Sequence, residues 1–200
     1  DDGFQHRRVK RDLDILTVSI NDTTKQYRLL PWGNLREPLK NVNRADYLIY
    51  TKTENYKIPD IHINIQPFIK SKYLISSLLP VLMKYNNSVY HKTLLPRGSV
   101  FAFCGIADPK SFIKSAEALS LHIKGSRFYK DHQNYTESVI QKLTKQISLN
   151  NIKQVVTTEK DMVKLPESFL SEFETYIIKI NIEFENRTDI NNLIQPILLN

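Results

Sequence analysis

The chain has 200 residues, of which 41% are hydrophobic and 24% charged, values typical of a globular protein that can bury a core. Its 28 lysines and arginines outnumber its 21 aspartates and glutamates, and the net charge of +7 favours anionic partners such as phosphorylated substrates, acidic lipid surfaces or nucleic acid. No run of about 18 apolar residues predicts a membrane-spanning helix, and the single cysteine, Cys104, excludes an internal disulfide framework.

The first half of the chain has an irregular pattern. Short apolar runs at residues 13–20, 27–30 and 45–51 each predict a strand. Residues 61–66 alternate apolar and polar side chains, which predicts a half-exposed strand. Residues 67–95 have scattered apolar side chains, and we expect strands and loops there.

After Pro96 the pattern becomes regular, with strands and helices in alternation. Asp108 followed by Pro109 is a strong helix-start signal. Strands are predicted at residues 99–104, 121–128, 154–157 and 176–182, and helices after Asp108, from Thr136, at 159–165 and at 187–199. This alternation predicts a mainly parallel α/β sheet, and the change of pattern predicts a division into residues 1–95 and 96–200.

An acidic pair opens the first stretch that could carry chemistry, "DDGFQHRR". Asp1 and Asp2 are hard oxygen ligands of the kind that bind Mg²⁺, and an acid of this kind holds the ion beside the nucleotide in phosphate-transfer folds. Gln5 offers an amide, and the arginines that follow could neutralise phosphate. On composition alone, a solvated acidic end beside a charged loop explains the same residues.

Three further stretches contain candidate site residues. In "GNLREPL", Glu37 is a candidate metal or water ligand and Arg36 a candidate anion contact, although a surface ion pair is the simpler interpretation. In "YKDHQNY", His132 could act as a base, a proton shuttle or an orienting group. In "TTEKDMVKL", acids in a first helical turn have a sufficient structural explanation in the helix dipole.

Nucleotide-binding glycine motifs are absent from the sequence. Its five glycines form neither a phosphate loop nor a dinucleotide-binding fingerprint, and no CxxC, HExxH or GxSxG motif occurs. A chain with an acidic pair for magnesium and no phosphate loop is either not a nucleotide enzyme or not a whole one.

Taken together, five strings resemble one family. "DDGFQHRRVKRDLDI", "GNLREPL", "FCGIADPKSF", "FYKDHQNYT" and "VVTTEKDMVKL" stand in the order found in the tetraacyldisaccharide 4'-kinases, the lipid A 4'-kinases of Gram-negative bacteria, and the resemblance runs from Asp1 to about Leu165. It implies a P-loop kinase-like parallel sheet with flanking helices that uses ATP and Mg²⁺ to phosphorylate the 4'-hydroxyl of a tetraacyldisaccharide 1-phosphate, giving lipid IVA. It also implies location at the cytoplasmic face of the bacterial inner membrane.

The resemblance assigns residues position by position. Asp1, Asp2 and Gln5 match the motif that serves the nucleotide phosphates, Asp1, Asp2 and Glu37 match its metal site, and His132 matches the catalytic histidine. That histidine orients an aspartate which activates the sugar hydroxyl. We expect this aspartate, the phosphate loop and the N-terminal half of the kinase core to precede Asp1, so that the chain is the C-terminal part of the enzyme. Family members commonly read "DHH" where this sequence reads "DHQ", and Gln133 receives no role.

Two alternatives remain open at this point. A basic α/β nucleic-acid-binding module would explain the charge, but no sequence signature of one is present. Another P-loop phosphotransferase would share the fold, but it does not account for the five specific strings. The kinase interpretation predicts a lipid disaccharide 1-phosphate as substrate, contact with an anionic membrane surface and no nucleic-acid partner.

Overall fold

The structure is a computed structural model that describes residues 3–8, 10–19, 27–53, 61–70, 72–86, 89–92, 95–186, 190–193 and 195. Within these ranges the strands are β1 (Ile15–Ser19), β2 (Tyr47–Thr51), β3 (Lys72–Asn86), β4 (Val89–Lys92), β5 (Val100–Cys104), β6 (Ile123–Phe128), β7 (Gln154–Thr158) and β8 (Glu174–Phe184). The α-helices in the same ranges are α1 (Ile61–Ile65), α2 (Pro109–Ala118), α3 (Glu137–Leu149), α4 (Glu159–Met162) and α5 (Glu167–Glu172). None of these described helices has the length and apolar content needed to cross a membrane.

The chain forms two compact units, one of residues Asp1–Leu79 with Ile182–Asn200 and one of residues Pro80–Asn181. The predicted domain boundary between residues 95 and 96 therefore differs from the points at which these units divide. Both division points fall inside long strands, β3 and β8, which a search for loops and linkers cannot detect.

The first unit is built on parallel strands. β1 pairs with β2 and β2 pairs with β3, each in parallel register. Val18, Leu48, Tyr50 and Ile75 from these strands form its core together with Val42, which lies in the 3-10 helix Leu39–Arg44, and Ile65. The strands predicted at residues 13–20 and 45–51 are confirmed, whereas residues 27–30 contribute only an isolated bridge from Leu29 to Leu35.

The prediction of a strand at residues 61–66 is wrong, because α1 and a following 3-10 turn occupy this segment. A helix brings residues three apart onto one face. Ile65 is accordingly buried in the core. On the same helix, His62 Nδ1 and the Tyr50 hydroxyl are joined by a hydrogen bond of 2.6 Å. Ile63 is left 72% exposed, so the apolar alternation in the sequence does not follow the burial of the side chains.

The second unit follows the predicted α/β pattern. Its strand order is β3-β8-β7-β5-β6, with parallel pairing from β8 to β6 and with β4 antiparallel to β3. All five residues of β5 are fully buried, because its side chains enter apolar clusters on both faces of the sheet. This is the expected environment of a central parallel strand.

Helix boundaries in the second unit agree with the start signals in the sequence. The Asp108 carboxylate accepts a hydrogen bond of 3.2 Å from the Ser111 backbone N–H at the start of α2, as predicted. The segment after Thr136 forms α3. In the first unit, residues 190–193 and 195 are helical within the predicted closing helix, whose other residues lie outside the described ones. Helix α5 was not predicted.

Leu143 provides a test of the core. Its side chain is fully buried on α3, so Leu143→Ala should lower the free energy of unfolding by about 2–5 kcal/mol through lost burial and a residual cavity. Leu149→Ala is the matched control on the same helix, since Leu149 is 75% exposed and its removal should change stability by no more than about 0.5 kcal/mol. Urea unfolding followed by circular dichroism measures both, and equal effects would contradict the described packing of α3.

Candidate active site

The "LREP" segment is held by backbone contacts in the first unit. The Leu35 N–H donates to the Arg28 carbonyl at 3.0 Å, and the Leu30 N–H donates to the Leu35 carbonyl at 2.9 Å. A side chain at Gly33 would place its Cβ 2.3 Å from the Arg28 carbonyl oxygen, so only glycine allows this close approach. The loop therefore presents the residues after Leu35 in a defined position.

Glu37 is the centre of a charged cluster, which we call the Glu37 cluster and which also includes Arg7, Asn41 and Arg44. Glu37 Oε2 accepts hydrogen bonds from Arg7 at 3.1 Å and from Asn41 at 2.8 Å, and Oε1 accepts one from Arg44 at 2.6 Å. Arg44 also stacks over the Phe4 ring, with its guanidinium carbon 4.5 Å from the ring centroid. The cluster thus joins the "DDGFQHRR" motif to the "LREP" motif.

Protonation of Glu37 is disfavoured by this arrangement. Burial raises the pKa of the Glu37 carboxyl, but hydrogen bonds from Asn41, Arg7 and Arg44 together outweigh it and hold the pKa below its ordinary value. Glu37 is therefore an anion at neutral pH and is matched by two guanidinium groups.

A cavity of about 250 Å³ opens beside the Glu37 cluster in the first unit. Its polar lining residues include Gln5, Thr17, Asn34, Arg36, Glu37 and Asn41. Three predicted site residues, Gln5, Arg36 and Glu37, therefore line one cavity, whereas Asp1 and Asp2 lie outside the described residues. No group of three or more His, Cys, Asp or Glu side chains within the described ranges is placed to hold a metal ion.

Glu37 still has the chemistry of an oxygen ligand. Each carboxylate oxygen has two lone pairs, and Oε1 accepts only the hydrogen bond from Arg44 among the bonds described above. A carboxylate oxygen that accepts one hydrogen bond can also bind a cation or a water. Asn41 and Arg44 were not singled out from the sequence, although they follow Glu37 at helical spacing, four and seven residues later. Arg7 is one of the arginines predicted to neutralise phosphate, and in this structure it bonds to Glu37.

His132 lies in the second unit, on the loop between β6 and α3. Its φ of 59° is in the left-handed region, where histidine is one of the enriched residue types. The imidazole is 80% exposed, and its Nε2 atom is 3.8 Å from the Asp131 carboxylate. The Asp131 carboxylate in turn accepts bonds from the His132 backbone N–H at 2.9 Å and from Lys160 at 2.7 Å.

Lys160 favours the ionised form of the Asp131 carboxylate beside His132. The hydrogen bond from Lys160 is the main cause that lowers the pKa of the Asp131 carboxyl, and the His132 N–H lowers it further. An exposed imidazole next to a carboxylate is suited to accept, pass on or orient a proton. Lys160 belongs to the "TTEKD" stretch, to which the sequence assigned no role.

Comparison with solved structures defines the class of protein. The crystal structure of LpxK from Aquifex aeolicus in complex with ATP is similar to this chain, with a TM-score of 0.65 and 26% identity, over 98% of this chain and 55% of that protein. The chain is thus an α/β protein of the P-loop kinase-like class, with mostly parallel strands and flanking helices. This confirms the predicted fold class.

The family follows from sequence comparison. The family described as "Tetraacyldisaccharide-1-P 4'-kinase" matches residues 1–198, and this chain belongs to it. The tetraacyldisaccharide 4'-kinases of Chlorobium phaeovibrioides and Chlorobaculum parvum are 34% and 32% identical to it, over 82% and 84% of this chain and 47% and 46% of their own length. The chain therefore spans about half the length of the curated relatives it matches.

The Glu37 cluster predicts an acid-dependent loss of stability. Since the pKa of Glu37 is lowered by folding, its ionised form stabilises the fold above the unfolded pKa of about 4.3, and this contribution is lost as the pH falls through the folded pKa. The difference in unfolding free energy between the parent protein and Glu37→Gln should be constant near neutral pH and shrink below about pH 4.3. Urea unfolding from pH 7 to pH 3 measures it. Glu117→Gln, at an exposed position on α2, is the control, and a pH-independent difference would contradict the assignment.

Proposed function

We propose that this chain is part of an ATP-dependent kinase that phosphorylates the 4'-hydroxyl of a tetraacyldisaccharide 1-phosphate and so forms lipid IVA. The observation that carries this proposal is the family match over residues 1–198. The relatives are named tetraacyldisaccharide 4'-kinases, and the similar Aquifex structure holds ATP. The order of the five strings in the sequence supports the same function.

The first unit supplies the nucleotide and metal groups in this proposal. Asp1, Asp2 and Gln5 serve the ATP phosphates, and Asp1, Asp2 and Glu37 offer oxygen ligands to Mg²⁺, a donor set that this ion prefers. When bound, Mg²⁺ neutralises charge on the phosphate oxygens. The position of Gln5 and Glu37 on one cavity supports this assignment.

In this proposal the second unit contributes His132 to the removal of the acceptor's proton. Phosphoryl transfer depends mainly on positioning and charge neutralisation, and the acceptor hydroxyl must lose a proton. We assign to the imidazole of His132 the role of orienting the aspartate that takes this proton, which is the aspartate expected to precede Asp1. Its exposure and the anchored Asp131 beside it support the role.

Contact with the membrane surface is also part of the proposal, at the cytoplasmic face of the bacterial inner membrane. In the first unit the loop Arg28–Trp32 is exposed throughout, with Leu30 and Trp32 at 58% and 77% exposure. Tryptophan and leucine next to arginine are typical of surfaces that enter the interface of an anionic bilayer. The net charge of +7 favours the same contact.

Replacement of His132 tests the catalytic assignment. In the full-length gene product, His132→Ala should lower kcat by about 10²-fold or more while ATP binding is unchanged, because proton transfer is impaired and the nucleotide contacts are not. His122→Ala is the matched control. His122 lies just before β6, whereas His132 lies after it. The His122 ring forms a hydrogen bond of 2.9 Å with the Ser99 hydroxyl. A parent-like turnover in His132→Ala would remove this residue from the site.

Replacement of Asp2 tests the metal assignment. Asp2→Ala should raise the Mg²⁺ concentration needed for half-maximal activity by about tenfold, since it removes one charge-bearing oxygen ligand. Asp12→Ala removes a carboxylate from the same stretch and serves as control. A magnesium titration of Asp2→Ala that superimposes on that of the parent protein would refute the role of Asp2.

A further inference from the structure

The side chain of Asp161 has no part in the chemistry proposed above, although it is a fully buried carboxylate. Its Oδ2 atom accepts a hydrogen bond of 2.9 Å from the Gly105 backbone N–H and one of 2.7 Å from the Thr158 hydroxyl. Its Oδ1 atom is buried and has no hydrogen-bond partner among the described residues. Burial of a carboxylate is costly unless hydrogen bonds compensate it, so the bonds from the Gly105 backbone and from the Thr158 side chain are important for the local structure.

These bonds join the ends of two neighbouring strands. Gly105 directly follows β5, Thr158 is the last residue of β7, and β5 and β7 pair in parallel. Thr158 also caps α4, since its hydroxyl accepts the Asp161 backbone N–H at 3.2 Å. A cap for a four-residue helix does not require the bond to Gly105, which belongs to a different strand.

The loop that bears His132 packs directly on Gly105. A Cβ at Gly105 would lie 2.8 Å from the Cβ of Gln133 and 3.2 Å from the Lys130 carbonyl oxygen. The Tyr129 N–H donates to the Cys104 carbonyl at 2.9 Å, one residue before Gly105. The loop therefore packs against the end of β5, where Gly105 bonds to Asp161.

Residues after β7 also bond to this loop. Lys160 bonds to the Asp131 carboxylate, and Lys164 donates to the Gln133 carbonyl at 3.2 Å. At the end of the loop the Tyr135 side chain is buried. Burial first, and the charge of Asp161 second, raise the pKa of the Tyr135 phenol.

We propose that Asp161 is a positioning residue that fixes the loop of residues 129–135, and through it the place of the His132 imidazole, by holding the ends of β5 and β7 together. The inference rests on the proposed function only in the final link, from His132 to catalysis. The link from Asp161 to the loop is independent of that function.

The experiment compares four variants of the full-length gene product. Asp161→Ala removes both accepted bonds, and Asp161→Asn keeps a carbonyl oxygen that can accept them. Thr158→Val removes one bond to Asp161. Thr157→Val is the matched control, since the neighbouring hydroxyl is buried without a partner among the described residues.

The first measurement is hydrogen exchange of the loop peptide against α3. Asp161→Ala should speed exchange at residues 130–134 by about tenfold or more, as expected for the loss of a charge-assisted hydrogen bond, with α3 protection kept. Thr158→Val should have a smaller effect in the same direction, and Thr157→Val none. If the loop exchanges in Asp161→Ala at the rate of the parent protein, the proposal is overturned, whether or not His132 proves to be needed for catalysis. If Asp161→Ala also exposes α3, the difference between Thr158→Val and Thr157→Val decides.

The second measurement is turnover with ATP and the tetraacyldisaccharide 1-phosphate. Asp161→Ala should lower kcat by about tenfold, leave KM for ATP within about twofold, and be largely rescued by Asp161→Asn. In the His132→Ala background Asp161→Ala should cost nothing further, because both changes act through one group. Additive losses would overturn the proposal. A parent-like rate in His132→Ala would instead refute the proposed role of His132, and loop exchange would still decide the role of Asp161.

Discussion

A carboxylate taken out of water needs hydrogen bonds from its surroundings, and Asp161 obtains two of them from the ends of adjacent parallel strands. This constraint determines much of the second unit's candidate site. Open α/β sheets bind ligands at the carboxyl ends of their parallel strands, on the loops that follow those strands. The loop that bears His132 packs on Gly105, whose backbone N–H bonds to Asp161. The fully buried β5 provides the scaffold for this arrangement.

Glu37 is compensated in a different way. Its carboxylate is 21% exposed and accepts three side-chain hydrogen bonds, two of them from arginines. Arg7 is 65% exposed and contributes little by itself, whereas Arg44 is 28% exposed and is also held by the Phe4 ring. The stability of the Glu37 cluster therefore rests mainly on Arg44. Two guanidinium groups around one carboxylate leave a net positive charge beside the cavity, which suits a phosphate-bearing ligand.

The sequence predicts those parts of the structure that depend on local signals. The Asp108 cap, the α3 face and the buried β5 all follow from residue type and periodicity. Helix α1 does not, because packing of His62 against Tyr50 and burial of Ile65 override the alternation around them. The motifs predicted Gln5, Glu37 and His132 as site residues, but not their partners. For Asp161, an acid in a first helical turn looks the same in sequence whether it caps its own helix or also bonds to another strand.

The two candidate sites differ in what holds them in place, and this has a physical consequence. Glu37 is placed by hydrogen bonds to its own side chain, so the site depends on the identity of Arg44 and Asn41. His132 is placed by its backbone: its imidazole is exposed, while its N–H bonds to Asp131 and the loop around it rests on Gly105. An exposed side chain held in this way keeps its rotamer freedom, and in the proposal above its backbone is positioned by the buried Asp161 carboxylate. On that proposal, residues remote from the imidazole determine its place, and they do so through the backbone.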